Sequence, residues 1–169
     1  MIPKAILNIN KGLTEWNILS TYRGSIAHGT YMNPNKEGID DKDVIAICVP
    51  PEDYYLGLKE YGSRGTIEIK KDEWDIVIYD IKKAITLLKQ GNPNILCMLW
   101  VSNKNILNKT SAGQLLLDNR QLFVGRHVYR SFIGYAHGQL HRMTHSNFEG
   151  YMGIKRRELV DKFGFDVKN

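Results

Sequence analysis

The chain has 169 residues, 43% of them hydrophobic, which suits one domain, or a compact core with an appended helical part, that can bury most of its apolar surface. No stretch approaches the roughly 20 apolar residues of a membrane helix, Met1 to Leu7 lacks the apolar region and cleavage site of a secretion signal, and Cys48 and Cys97 sit in apolar patterns that read as buried free thiols, so zinc and a disulfide scaffold are not indicated. These features lead us to expect a cytoplasmic protein without a membrane partner, and the formal net charge of +5 suits a polyanionic partner without requiring one.

Taken in chain order, Ile18 to Tyr22 is β-prone and runs into Arg23-Gly24-Ser25, where two small residues allow a sharp turn from strand to helix. A polar loop rich in Asn, Pro and Gly follows from Tyr31 to Gly38. Asp43 to Val49 is a nearly continuous apolar run closed by Pro50-Pro51, the pattern of a central strand with a rigid exit. Two further strands are expected at Thr66 to Ile69 and Trp74 to Tyr79, with a hairpin turn at Lys71-Asp72-Glu73. From Asp80 the period changes: Ile81, Ala84, Ile85, Leu87 and Leu88 share a helical face, Asp80 is its cap, and Gly91-Asn92-Pro93 ends it. A second helix should start at Pro93 and include Leu96, Leu99 and Trp100. Helices are then expected over Thr110 to Leu122, Val128 to Met143 and, with basic character, Gly153 to Phe163. A strand-rich front and a helical back favour an α+β fold, a small mixed sheet flanked by helices; the corresponding division is a catalytic core at 1–104 and a helical C-terminal region at 105–169 packed on it.

The chemistry concentrates in acidic residues. Asp41 and Asp43 are separated by one residue at the start of a strand, so their side chains point to one face and can share a metal-sized site. Hard oxygen ligands suit Mg²⁺, or Mn²⁺, which takes its remaining ligands from water and substrate phosphates. Asp75 is the third carboxylate of choice, because it opens a strand whose Val77 and Tyr79 share its face, whereas Asp80 is needed as a cap; Glu68 and Asp72 are the substitutes. Gly24 and Ser25 offer backbone N–H groups and a hydroxyl to phosphate oxygens. An Asp-x-Asp alone is more often a solvated turn, and Ser25 alone a helix cap. His28 either reaches a phosphate or finishes the turn. Trp16, Trp74 and Trp100 are scattered and read as packing residues.

In combination, Gly24-Ser25, Ala27-His28-Gly29 and Asp41-Lys42-Asp43 before an apolar strand resemble the signature of the DNA polymerase beta-like nucleotidyltransferase superfamily. Pro50, Tyr54-Tyr55-Leu56-Gly57-Leu58, the Asp75 strand, Gly91-Asn92-Pro93-Asn94, Leu99-Trp100, Gly134-Tyr135-Ala136, Gln139-Leu140 and Lys155-Arg156 are similar to its branch associated with bacterial and phage RNA repair. The resemblance implies metal-dependent transfer of an NMP from an NTP, ATP among them, to a hydroxyl acceptor, an RNA end or a nucleotide, with release of pyrophosphate. It implies Asp41, Asp43 and Asp75 as catalytic metal ligands, and Gly24, Ser25, His28, Lys155 and Arg156 as nucleotide contacts. Two departures stand out: Asp40 occupies a position where serine is common, and the chain stops at Lys168-Asn169 where a further helix is expected. The same site would also serve a silent nucleotide or RNA sensor, or a toxin- or antitoxin-type enzyme that nucleotidylates protein.

Overall fold

The computed structural model describes residues 2–31 and 41–144. Asp40, most of the loop to Gly38, Lys155, Arg156 and the basic helix expected at Gly153 to Phe163 lie outside the described residues.

The expected strands form; three are longer by a residue or two, and the one expected at Asp43 to Val49 starts and ends one residue earlier. They are β1 (Asn17–Tyr22), β2 (Lys42–Cys48), β3 (Thr66–Lys71) and β4 (Trp74–Asp80), and β5 (Ile106–Lys109) joins them. Among the described residues they make one five-stranded sheet in the order β3-β4-β2-β1-β5. β2 and β4 run parallel at its centre, while the β1/β2, β1/β5 and β3/β4 pairs are antiparallel. This is the mixed sheet that the expected α+β fold calls for.

The period-two alternation of β2 and β4 divides the core between the two faces of the sheet. Val44, Ala46, Cys48, Trp74, Ile76 and Ile78 point to one side, where Ile2 and Ile6 of the N-terminal segment, Leu13 and Tyr61 close over them. Ile45 and Ile47 point to the other with Leu19 of β1, against Ala84 and Leu88 of a helix and Ile95, Leu96, Met98 and Leu99 of the next segment. The odd-numbered acids Asp43 and Asp75 therefore begin the strands on this second, helix-covered face.

Both connections into that helix layer follow local chemistry. Asp80 accepts a hydrogen bond of 2.6 Å from the Lys83 N–H, capping Ile81–Lys89 as its sequence position suggested. The helix stops at Gly91, whose φ of +66° is reached without strain only by glycine. Asn92 caps Pro93–Leu96 through the Asn94 N–H, and the chain tightens into a 3₁₀ turn over Cys97–Trp100 instead of continuing as one α-helix.

β5 falls in the stretch expected to be helical, so the sheet draws on residues beyond 104. The run Ile106-Leu107 is too short to carry a strand period, and Asn108 joins the sheet through a bond that no local pattern encodes: its Nδ2 donates to Asn17 Oδ1 at 2.7 Å. Thr110 then caps Ser111–Asp118, and Arg126–Thr144 forms the last described helix. The expected helix from Thr110 to Leu122 is instead two pieces, α-helix to Asp118 and a 3₁₀ turn at Arg120–Phe123.

Candidate active site

Three chain segments converge at one end of the sheet. β2 and β4 pair in parallel with Asp43 opposite Asp75, so these two residues occupy equivalent places on neighbouring strands about 4.8 Å apart. β1 runs the other way and ends beside them: the Arg23 N–H donates to the Asp43 carbonyl at 3.0 Å. The face of Leu19 and Thr21 continues into Arg23, and this alternation aims its guanidinium at the acids. Arg23 Nη2 stands 3.4 Å from Asp43 Oδ1 and 3.8 Å from Asp75 Oδ2. Lys70, across the hairpin on β3, approaches Asp75 Oδ2 from the exposed side at 3.5 Å.

Gly24 opens the short helix Gly24–His28 with φ of +57°. A Cβ at that position would overlap Asp43 Oδ2 and stand 3.2 Å from its Cγ. The turn thus brings bare backbone against the carboxylate, for which only glycine is fitted. Ser25 follows with its Oγ buried and without a hydrogen-bond partner among the described residues, a state that costs free energy unless some acceptor or donor completes it.

Arg23, Gly24 and Asp43 line a cleft of about 680 Å³, the size range of small-molecule sites. Ala27 and His28 form one wall, and Pro93, Asn94, Trp100 and Ser102 another. Phe132 and Tyr135 of the last helix add two aromatic rings. Trp100, read from the sequence as a packing residue, is 40% exposed and lines this cleft, with the Arg120 guanidinium 5.6 Å above its ring. Trp16 and Trp74 do pack, Trp16 against Tyr54 and Tyr61, and Trp74 stacked on Tyr22.

The expected site residues are therefore brought together unequally. Asp43 and Gly24 meet at the head of the cleft with Asp75 beside Asp43 on the next strand, and His28 stands on the cleft wall, exposed. Asp41 is exposed one residue before β2, outside the strand whose alternation would fix its side. Among the described residues no group of three or more His, Cys, Asp or Glu side chains is arranged to hold a metal ion. The Asp43–Asp75 pair alone nevertheless fits Mg²⁺ or Mn²⁺: it offers hard oxygen donors, it already draws a cation between its carboxylates, and such ions commonly use one or two protein carboxylates plus phosphate oxygens. Arg23 was not singled out from the sequence. Its signal was available, because it continues the alternation of β1 into the turn that carries Gly24.

The mixed sheet thus carries a glycine turn set against two strand-borne carboxylates, beside a cleft. The sequence matches the RNA repair pathway DNA polymerase beta family, RlaP, over residues 16–156, and the chain belongs to that family. No curated protein and no solved structure matches it. Family membership points to nucleotidyl transfer as the class of activity and to a nucleotide as substrate. No described helix is long and apolar enough to cross a membrane.

Proposed function

We propose that the protein transfers an NMP from an NTP to a hydroxyl acceptor, an RNA end or a nucleotide, and releases pyrophosphate. The observation that carries this reading is the register of Asp43 with Asp75 beside the Gly24 turn, at the head of a nucleotide-sized cleft. In this reading Asp43 and Asp75, with Asp41 at the strand entrance, hold Mg²⁺ or Mn²⁺. A divalent ion held there would neutralise charge at the α-phosphate and lower the pKa of the acceptor hydroxyl.

The chain's own residues supply position. Gly24 lets the phosphates approach its backbone N–H, and the Ser25 hydroxyl, without a hydrogen-bond partner among the described residues, is available for a phosphate oxygen. His28 on the cleft wall, with Lys155 and Arg156 from the C-terminal region, provides further phosphate contacts. The rings of Trp100, Phe132 and Tyr135 offer the nucleoside an apolar surface for stacking. The acceptor oxygen bonds to the α-phosphorus as the bond to the β-phosphate oxygen breaks. The acceptor proton passes to solvent, and rate enhancement comes from alignment and charge neutralisation.

Incubation of the protein with each α-labelled NTP, Mg²⁺, and RNA or protein fractions tests the reading. Label should move to a macromolecule or nucleotide with stoichiometric pyrophosphate, and Asp41→Asn and Asp43→Asn should abolish transfer while retaining the wild-type circular dichroism. Unchanged turnover in both variants would reject these residues. Tight NTP binding with no pyrophosphate from any acceptor would make the protein a sensor.

A further inference from the structure

We propose that Arg23 is a built-in competitor for the cation site between Asp43 and Asp75, a positioning residue that a divalent metal displaces; the proposal rests on the metal-site reading above. A single atom, Nη2, is shared between Asp43 Oδ1 at 3.4 Å and Asp75 Oδ2 at 3.8 Å. Mg²⁺ binds carboxylate oxygen at about 2.0–2.1 Å. An ion bridging these two oxygens would need the space that Nη2 fills, so the two cations exclude each other.

The engagement is also loose enough to exchange. A strong guanidinium–carboxylate pair is bidentate, with N to O distances of about 2.7–2.9 Å. Here both contacts are long and come from one nitrogen, and Nε is buried without a hydrogen-bond partner among the described residues. The arginine thus neutralises the acids while using little of its own hydrogen-bonding capacity.

Its backbone is fixed to β2 through the bond to the Asp43 carbonyl, whereas its side chain lines the cleft. Displacement therefore turns the guanidinium toward the space where the phosphates would lie. Two other cations neighbour this region: Lys70 contacts the exposed side of Asp75, and His28 stands on the cleft wall. Neither lies between the two carboxylates.

Mn²⁺ titration of the full chain, followed by the electron paramagnetic resonance of the free ion, separates this role from a structural one. Removing a fixed positive charge beside the acids should tighten Mn²⁺ binding by Arg23→Gln about 10-fold or more, a size that a unit charge roughly 4 Å from each of two carboxylates reaches even at the dielectric of water. Arg23→Lys should restore near wild-type affinity, and Asp43→Asn should weaken binding in every background. Equal or weaker Mn²⁺ binding by folded Arg23→Gln overturns the proposal. A second readout follows the wild-type chain: its Arg23 side-chain NMR signals, assigned by their loss in Arg23→Lys, should shift saturably with Mg²⁺. Arg23 signals that do not move while Mg²⁺ binds overturn the proposal and leave the metal site standing. Wild-type protein that binds no Mn²⁺ in an Asp43-dependent way removes the metal site, and the competition with it.

Discussion

Alanine at Gly24 and alanine at Gly29 impose the same backbone penalty but different steric ones. Both glycines have positive φ, +57° and +73°, so each substitution forces a side chain into the left-handed region at about 1–2 kcal/mol. The added methyl meets nothing within 4 Å at Gly29, whereas at Gly24 it overlaps Asp43 Oδ2. Relief of that overlap needs the carboxylate to move by about 1 Å, a misplacement that can cost roughly 100-fold in rate. Gly24→Ala and Gly29→Ala should therefore both melt below wild type, Gly24→Ala at least as low as Gly29→Ala. Gly24→Ala alone should lose about 100-fold in pyrophosphate release at saturating NTP and Mg²⁺. The two variants are compared by thermal melting and by a coupled pyrophosphate assay. Equal rates in the two variants would refute the argument that the Gly24 turn is there to let bare backbone meet the acid.

Other consequences are simpler. Asp80→Ala removes the cap on the Lys83 N–H and should cost about 1 kcal/mol, a fall of roughly 2–4 °C in Tm, with transfer activity retained; a loss of activity without a loss of stability would make Asp80 part of the site. Burial pushes the Cys48 thiol up to about 11, so the raised pKa leaves a thiolate fraction on the order of 10⁻³ at pH 8. Native protein should alkylate slowly with iodoacetamide at Cys48 and rapidly in denaturant, as read by mass spectrometry; fast native labelling of Cys48 contradicts its packing. Trp100→Ala should raise the KM for NTP about 10-fold with little change in kcat, the size of one lost stacking contact. An unchanged KM would place the nucleoside elsewhere in the cleft.

Much of this architecture is legible because it rests on short-range regularities. The apolar run after Asp43, the alternation of Trp74 to Tyr79, the Asp80 cap and the Gly91 stop each encode their element locally. What sequence spacing does not contain is the registration between strands. That Asp75 falls opposite Asp43 depends on how β2 and β4 slide past each other, and a one-residue slip would have sent it to the other face. β5 escaped notice for the same reason: Ile106–Lys109 has little pattern of its own and becomes a strand by pairing with β1. Arg23 shows an intermediate case. Its direction follows from the β1 pattern, but its place between two acids emerges only when three strands meet. The aromatic side of the cleft is least legible, because Trp100, which alone reads as a packing residue, and Phe132 come from separate helical segments.

The proposed activity requires Asp43 and Asp75 to hold a cation jointly beside a bound triphosphate. A crystal grown with Mn²⁺ and a non-hydrolysable NTP tests this most directly through the anomalous signal of the metal. A manganese peak bonded to carboxylate oxygens of both residues and to a phosphate oxygen, with Arg23 turned away from the pair, is the predicted result. Manganese bound elsewhere, with the Asp43 and Asp75 carboxylates still paired to Arg23 beside a bound nucleotide, would contradict it.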